Sequence, residues 1–274
     1  MSSYEISLRG RSALITGASD GIGRAIALGL ASAGANVALL ARDTHALQSV
    51  ASEAEQYGVK TAVITCDVSV LATISEAFNA SVSALGQVDI LVNNAGRVGS
   101  TGPFLELTDS DWATVARINF EAPVQFLRAF GRHAIPRGSG CVINVSSFAG
   151  SNGAPMIAHY GAAKAALNAL SCSLAAEWAS SGVRVNVLAP GWINTKLTAQ
   201  FAEMPGVSAA LLEAVPTGQW GTPDSVIGAA LYLASDAAGL VTGACLEVDG
   251  GLTSYVGGPG MLSIAKHGHR IEVP

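Results

Sequence analysis

A strand, a glycine-rich turn and a helix follow one another near the amino terminus, and this unit constrains the fold more than any other feature. The apolar run Ser12-Ala-Leu-Ile-Thr16 predicts a buried strand, and the alanine- and leucine-rich stretch after Gly23 is typical of a helix. Gly17 permits a tight turn, Gly21 lets the backbone approach a diphosphate, and Gly23 allows the helix to pack closely on the strand. Because the first N–H groups of a helix are unpaired and lie at the positive end of its dipole, the unit predicts a dinucleotide site.

Strand-like and helix-like runs alternate along the rest of the chain, which predicts a parallel sheet covered by helices. We predict strands at 12–16, 36–41, 61–66, 89–93, 140–145, 184–189 and 244–248, and helices near 21–33, 43–57, 69–85, 108–133, 156–180 and 223–235. No repeat or low-complexity linker divides the sequence, so we expect one α/β domain at 1–251, a Rossmann-like doubly wound parallel sheet of about seven strands. Two segments depart from the alternation: a long excursion at 191–222, typical of a binding loop, and a carboxyl-terminal extension at 252–274.

A tyrosine, a lysine and a serine form a candidate catalytic group. Tyr160 and Lys164 are four residues apart, so on a helix they share one face, with their β-carbons about 5–6 Å apart. A fixed ammonium favours the phenolate, so we expect Lys164 to lower the pKa of Tyr160 towards neutrality. Ser147 follows the apolar run Cys141-Val-Ile-Asn-Val145, at the strand end where open α/β sheets bind ligands. The alternative is an incidental Tyr–Lys pair on a helix.

Several separate motifs resemble the short-chain dehydrogenase/reductase family, in the family's order and spacing, from about residue 8 to 251. The matching residues are Thr16-Gly17-Ala-Ser-Asp-Gly21-Ile-Gly23, Asn93-Asn94-Ala95-Gly96, Asn119, Ser147, Tyr160-x-x-x-Lys164 and Pro190-Gly191. The resemblance implies an NAD(P)-dependent enzyme that transfers hydride between nicotinamide and a carbonyl or secondary-alcohol carbon. It also implies that no metal is needed, because the cofactor supplies the chemistry.

The resemblance implies a role for each of four catalytic residues. In reduction, Tyr160 would donate a proton to the carbonyl oxygen and Ser147 would hydrogen-bond that oxygen. Lys164 would lower the tyrosine pKa and bind the nicotinamide ribose. Asn119 would kink its helix and hold a water that links Lys164 to solvent.

Four neighbouring polar residues have plainer structural interpretations. Ser146 is expected to bond to backbone, because adjacent residues of an extended chain face opposite ways. His159 points about 100° away from Tyr160 on a helix, which favours a wall or interface position. Asn93 is expected to satisfy backbone groups at a strand end, and Asp67 could be a helix cap before Ser69 instead of an adenine contact.

Arg42 determines which nucleotide we expect. It follows the second predicted strand, where an acidic residue commonly binds the adenine-ribose hydroxyls and an arginine instead pairs with a 2′-phosphate. This favours NADP(H), with NAD(H) as the alternative; Asp20 weighs against NADP(H), since an inward carboxylate would repel a phosphate. With the contacts that the resemblance implies, the expected cofactor-binding residues are Gly17, Ser19, Asp20, Gly21, Ile22, Gly23, Arg42, Asp67, Val68, Asn94, Ala95, Gly96, Tyr160, Lys164, Pro190, Gly191, Ile193 and Thr195.

The sequence defines the substrate poorly. The expected substrate-contacting residues are Ser147, Phe148, Ala154, Tyr160 and Trp192, and in similar enzymes the segment corresponding to 191–222 closes over substrate. A keto group on a sugar-like polyol, a 3-oxoacyl chain and a small cyclic ketone all remain open. Alternative functions are a non-catalytic NADP-binding sensor of the same fold, a nucleotide-sugar epimerase or dehydratase, and a purely structural or binding module.

Composition limits the partners. The net charge of −5, without a basic stripe, argues against a nucleic-acid-binding surface. Only 13% of residues are charged, so we expect helix faces covered by partner subunits in a homodimer or homotetramer. Met1-Ser-Ser-Tyr-Glu5 lacks signal-peptide features and no apolar run is long enough to span a membrane, so we expect a cytoplasmic protein. Cys66, Cys141, Cys172 and Cys245 are widely spaced and contain no C-x-x-C pair for a metal.

The extension at 252–274 departs from the family's pattern. It contains Gly257-Gly-Pro-Gly260, followed by Lys266, His267, His269 and Arg270. The simplest expectation is a terminus that lies on the surface. A sharper hypothesis is that the extension crosses a subunit interface and helps to close a neighbouring active site.

Overall fold

Seven parallel strands form one sheet at the centre of the computed structural model, which describes residues 6–255 and 258–267, with only the backbone of Gln200, Met261 and 264–267. The strands of these described residues are β1 (Ser12–Thr16), β2 (Asn36–Ala41), β3 (Thr61–Thr65), β4 (Ile90–Asn93), β5 (Gly140–Val145), β6 (Val183–Pro190) and β7 (Cys245–Val248). Their order across the sheet is β3–β2–β1–β4–β5–β6–β7, and every neighbouring pair is parallel. The predicted α/β fold class, a Rossmann-like doubly wound sheet, is confirmed.

Helices cover both faces of the sheet. They are α1 (Gly21–Ser32), α2 (Thr44–Glu55), α3 (Ile74–Leu85), α4 (Asp109–Ala116), α5 (Ala122–Ala134), α6 (Ala158–Trp178), α7 (Ala199–Ala202), α8 (Pro205–Glu213), α9 (Ile227–Ala234) and α10 (Gly258–His267). One buried apolar cluster joins α1, α2 and α9 to one sheet face, and a second joins α3, α5 and α6 to the other. Two buried faces explain why the central strands read as continuous apolar runs instead of alternating ones.

The direction of chain winding reverses between β1 and β4. The chain runs outward from β1 to β3, then crosses back and continues from β4 to β7 on the other side of β1. Helical connections therefore leave the sheet on opposite faces at this point, which opens a crevice at the carboxyl ends of β1 and β4. The glycine turn after β1 and the residues after β4 both lie at this edge.

The helix boundaries differ from the predicted ones where the chain changes its helical type. The predicted helix at 108–133 is interrupted by a π-helical turn at Arg117–Glu121. The predicted helices at 69–85 and 223–235 begin with 3₁₀ turns, Leu71–Thr73 and Pro223–Val226, where proline or a weak cap delays the α-helix. The excursion at 191–222 contains the two short helices α7 and α8.

Part of the carboxyl-terminal extension is helical. Helix α10 spans Gly258–His267. Residues 1–5, 256–257 and 268–274 lie outside the described residues, and with them the expectations made for Met1–Glu5, His269 and Arg270. Within the described part of the chain, no helix is both long enough and apolar enough to cross a membrane.

Candidate active site

The glycine turn after β1 is packed as closely as its sequence predicts. Gly17 and Gly21 have φ angles of 68° and 53°, in the left-handed region that glycine adopts without strain. A β-carbon added at Gly23 would lie 2.2 Å from the Gly17 carbonyl oxygen and 2.3 Å from the Asn94 amide nitrogen. The Asn94 amide donates to the carbonyl oxygens of Thr16 (2.9 Å) and Gly17 (3.3 Å). Gly23 and Asn94 therefore set the shape of the turn.

Asp20 caps helix α1 and is paired with a cation. Its carboxylate accepts from the Gly21 N–H at 2.7 Å, and its other oxygen lies 2.7 Å from Lys196 Nζ. The hydrogen bond from Lys196 is the main cause that lowers the pKa of Asp20. Sequence reasoning missed Lys196, although it is the only lysine or arginine in 191–222. This pairing offsets the negative charge that argued against a nucleotide phosphate nearby.

A groove of about 870 Å³ extends from the glycine turn past the ends of β2 and β3. Of the expected cofactor residues, it contacts Gly17, Ser19, Arg42, Asp67, Val68, Ala95 and Gly96. The Arg42 side chain is 77% exposed, and its guanidinium lies 3.9 Å from the Asp67 carboxylate. Asp67 also accepts from the Ser69 N–H at 2.9 Å; it closes a turn and does not cap a helix, since the next helical turn begins only at Leu71.

Two further cavities continue this groove into the molecule. A space of about 250 Å³ shares Gly17, Ala95 and Gly96 with the groove and reaches Tyr160 and Lys164. A third cavity, of about 420 Å³, shares Tyr160 with the second. Members of the predicted cofactor and substrate sets border this third cavity: Ile22, Ser147, Phe148, Ala154, Pro190, Gly191, Trp192, Ile193 and Thr195. Because neighbouring spaces share lining residues, the three together form one path that runs past the glycine turn.

Ser147, Tyr160 and Lys164 meet where the second and third cavities join. Tyr160 and Lys164 lie on α6, and the lysine Nζ is 5.7 Å from the centre of the tyrosine ring. Lys164 Nζ also donates to the carbonyl oxygen of Val145, the last residue of β5, at 2.8 Å. The Ser147 hydroxyl accepts from the Ala149 N–H at 3.2 Å and is hydrogen-bonded to the Tyr160 side chain. All three side chains are at least nine-tenths buried.

Burial dominates the ionisation of these groups. It raises the pKa of Tyr160 to about 12, and the hydrogen bond with Ser147 opposes this shift only in part. Burial also lowers the pKa of Lys164 to about 8. The expectation that Lys164 would lower the pKa of Tyr160 towards neutrality is not met in this structure, because desolvation of the phenolate is the largest cause of the shift and raises the pKa.

Asn119 lies within the π-helical turn and ties it to the segment after β4. Its amide nitrogen donates to the carbonyl oxygens of Val115 (2.9 Å) and Arg97 (2.8 Å), and its oxygen accepts from the Arg97 N–H at 3.2 Å. A β-carbon added at Gly96 would lie 3.0 Å from the Asn119 oxygen and 3.6 Å from Lys164 Nζ. The glycine thus lets the chain run close to both polar side chains. The water proposed to link Asn119 and Lys164 stays a prediction.

The neighbouring polar residues have structural roles. Ser146 donates to the Lys164 carbonyl oxygen at 3.4 Å, a backbone bond as expected. The Asn93 amide instead donates to the Asn144 side chain at 2.8 Å, so the expected bond to backbone groups is replaced by a bond between neighbouring strands. His159 is 1% exposed and packs on the Trp112 ring, with 5.9 Å between ring centres. It is a buried packing residue, so its expected place in a cavity wall or subunit interface is wrong.

Sequence reasoning missed several residues that border the 420 Å³ cavity outside the predicted binding loop, among them Val98 and Met156. Besides Phe148 and Trp192, its apolar boundary includes Val98, Met156 and Phe201. Isolated apolar residues in loops carry no signal that separates a cavity wall from ordinary core. Trp192 is the centre of an aromatic cluster, with ring centres 5.0 Å from Phe148 and 6.1 Å from Phe201.

The fold and this arrangement together define a class of protein, the dinucleotide-dependent oxidoreductases. A family model described as "Enoyl-(Acyl carrier protein) reductase" matches residues 17–253. The chain belongs to the short-chain dehydrogenase/reductase family, and it is an NAD(P)-dependent oxidoreductase that acts on an alcohol or the corresponding carbonyl.

Curated relatives and a solved structure cover nearly the whole chain. A galactitol 2-dehydrogenase (L-tagatose-forming) from Cereibacter sphaeroides is 40% identical over 90% of this chain and 97% of its own length. A gluconate 5-dehydrogenase from Gluconobacter oxydans is 37% identical over 90% of this chain and 96% of its own. The crystal structure of a gluconate 5-dehydrogenase from Burkholderia cenocepacia, in complex with NADP and tartrate, has a TM-score of 0.88 at 37% identity and covers 92% of this chain and 98% of its own.

Proposed function

We propose that this protein transfers hydride between NADP(H) and a ketone or secondary alcohol, with Tyr160 as the acid–base group. The observation that carries the proposal is the meeting of Ser147, Tyr160 and Lys164 where the nucleotide path joins the 420 Å³ cavity. When bound, the nicotinamide supplies the hydride chemistry. A substrate carbonyl in this cavity can reach the serine and tyrosine hydroxyls together.

The ionisation of the three side chains suits carbonyl reduction. With a pKa raised to about 12, Tyr160 is protonated at neutral pH and can donate its proton to the carbonyl oxygen. Ser147 hydrogen-bonds the same oxygen and holds it in place. Lys164, with a pKa lowered to about 8, is mostly charged at neutral pH, and its charge stabilises the phenolate that forms when Tyr160 gives up its proton. Oxidation runs the same steps backwards.

The preference for NADP(H) rests on charge near the outer end of the path. Arg42 is exposed at the groove, and the preceding residue, Ala41, provides no carboxylate to bind an adenine-ribose hydroxyl. The pairing of Asp20 with Lys196 removes the nearest objection to a bound phosphate. The Burkholderia cenocepacia neighbour, crystallised with NADP, supports the same choice. NAD(H) remains the alternative.

Nucleotide titration and one substitution test the proposal. In a fluorescence titration, purified protein should bind NADPH more tightly than NADH. The Tyr160→Phe variant should bind NADPH with an affinity within about twofold of the unmodified protein. Its kcat should fall about 10³-fold, which is the range of general acid catalysis. Tyr57→Phe is the matched control, since Tyr57 is 54% exposed and borders none of the three cavities. Binding of NADPH without turnover by the unmodified protein would favour the non-catalytic sensor. Failure to bind either nucleotide would refute the proposal.

We also propose a homo-oligomeric state, either dimer or tetramer, and a cytoplasmic location. Apolar side chains at the described surface support the first, among them Phe104 and Leu105, which are 62% and 93% exposed. The four cysteines are free thiols, which supports a reducing compartment. The division into a domain at 1–251 and an extension at 252–274 stays a prediction. Light scattering on the full chain and on a variant that ends at residue 257 measures the oligomer and tests whether the extension contributes to it.

A further inference from the structure

The 420 Å³ cavity beside Ser147 and Tyr160 has an apolar wall built from distant parts of the chain. One side is the aromatic cluster of Trp192, Phe148 and Phe201. The other sides bring together Val98 after β4, Met156 before α6 and Leu211 on α8. Part of the space is bordered by Pro190, Gly191 and Thr195 from the predicted cofactor set, and the aromatic cluster borders the part left for a substrate.

No charged side chain borders this cavity among the described residues. Lys196 is the only lysine or arginine in the segment 191–222. Its side chain lies at the glycine turn, where it pairs with Asp20 at 2.7 Å. A carboxylate that leaves water for this cavity therefore meets no cation in its wall; Lys164 lies in the adjoining 250 Å³ space, where it donates to the Val145 carbonyl oxygen. Because the loss of hydration of a buried, unpaired charge is costly, a sugar acid is a poor fit.

Most hydroxyl groups at the cavity are already hydrogen-bonded within the protein or are needed for the reaction, and Thr101 is the exception. Thr198 Oγ1 donates to the Ile193 carbonyl oxygen at 2.5 Å and also bonds with Thr195, and Ser146 donates to the Lys164 carbonyl oxygen. Ser147 and Tyr160 are required by the reacting oxygen. A chain of hydroxyls would exchange its bonds with water for contacts with rings and methyl groups, which is unfavourable.

The rim of the cavity carries the only left-handed non-glycine residue among the described ones, Met156, with φ 69°. Its carbonyl oxygen accepts from the Gly102 N–H at 2.9 Å, which holds this conformation. Half of the side chain is exposed. A flexible thioether held in a strained position at a cavity entrance suits contact with apolar surfaces of varied shape.

We infer that the substrate is an uncharged ketone, or the matching secondary alcohol, whose carbonyl is attached to an apolar ring, and that Trp192 selects for that ring. This inference rests on the proposed function, because it takes Tyr160 as the group that meets the carbonyl. It sets this chain apart from the relatives above, whose names refer to galactitol and gluconate. The tilted and edge-on rings of the aromatic cluster provide a surface on which a further ring can pack.

A pair of ketones that differ in charge but hardly in shape tests the inference, with the full chain and saturating NADPH. We expect kcat/KM for 4-methylacetophenone to exceed that for 4-acetylbenzoate at least 100-fold, and 5-keto-D-gluconate and L-tagatose to be slower still. Calorimetry on the enzyme saturated with NADP⁺ compares the affinities of the same compounds, so the result does not depend on turnover. Preferred turnover or tighter binding of the carboxylate or of either sugar would overturn the inference.

Two substitutions locate the selectivity. Val207 borders the cavity and is 39% exposed, so Val207→Arg adds a cation at the wall with little risk to folding, and Val207→Met is its uncharged control. The arginine should raise the affinity for 4-acetylbenzoate about tenfold or more, and the methionine should leave it unchanged. Trp192→Leu should lower kcat/KM for the ring ketone at least tenfold more than it lowers kcat/KM for 2-butanone. Equal losses on both ketones would overturn the role of Trp192.

The same experiments separate this inference from the proposed function. If NADPH binds and Tyr160→Phe abolishes turnover of a sugar, the hydride-transfer proposal holds and the substrate inference fails. If NADPH does not bind, or if Tyr160→Phe turns substrate over as fast as the unmodified enzyme, the proposed function fails instead.

Discussion

Replacing Gly23 with alanine tests whether the glycine is needed because its neighbours leave no room for a β-carbon, and not because of its backbone conformation. The added β-carbon would lie 2.2 Å from the Gly17 carbonyl oxygen and 2.3 Å from the Asn94 amide, whereas ordinary contact begins near 3.4 Å. The first of these neighbours is backbone, so α1 or the turn must move by about 1 Å. That shift breaks the two hydrogen bonds from Asn94 to Thr16 and Gly17.

The cost follows from these contacts. Overpacking costs about 1–3 kcal/mol, and the two hydrogen bonds contribute about 1 kcal/mol each. Alanine recovers about 0.5–1 kcal/mol of helix propensity over glycine. We therefore expect Gly23→Ala to lower the free energy of unfolding by about 2–4 kcal/mol. The displaced turn should also weaken NADPH binding at least tenfold, which corresponds to about one lost charge-assisted hydrogen bond.

Urea unfolding and fluorescence titration with NADPH measure the two effects. Gly228→Ala is the matched control, because Gly228 also lies near the start of a helix, α9, but an added β-carbon there meets no atom within 4 Å. It should leave NADPH binding unchanged and stabilise the protein by up to about 1 kcal/mol. The reasoning is refuted if the two variants unfold at the same urea concentration and bind NADPH within twofold of each other.

Three further substitutions or conditions follow from the site and its surroundings. Arg42→Ala should raise KM for NADPH about tenfold and leave that for NADH unchanged, and an unaltered ratio of the two efficiencies would contradict the NADP(H) assignment. The kcat/KM for ketone reduction should be level through neutral pH and should fall as the pH rises through about 8. The cause is that Lys164 loses its charge there while Tyr160 stays protonated. A kcat/KM that is level up to pH 10 would exclude this role for Lys164. Asp89→Ala should lower the free energy of unfolding, measured in urea, by about 3 kcal/mol. The Asp89 side chain is only 8% exposed, and its loss removes the carboxylate that pairs with Arg137 at 2.5 Å. A change below about 1 kcal/mol would show that the pair contributes no more than a surface ion pair.

The sequence alone was enough to predict the strand, turn and helix around Gly17, the seven strands and the i, i+4 pair on α6. These features depend on apolar periodicity and on the conformational range of glycine, which act over a few residues. The resemblance predicted that Asn119 kinks its helix, whereas the π-helical form of this turn and its hydrogen bonds with Arg97 were visible only in the structure.

Tertiary structure decided the chemistry of the site and the character of the substrate cavity. The direction of the Tyr160 pKa shift follows from how completely the surrounding elements exclude water, and the spacing of Tyr160 and Lys164 does not contain that information. The charge state near the glycine turn depends on Lys196, a residue 176 positions after Asp20. The apolar wall likewise joins side chains from loops far apart in the chain, among them Val98 and Trp192. Local patterns determine which elements form, whereas desolvation and long-range contacts depend on which elements meet.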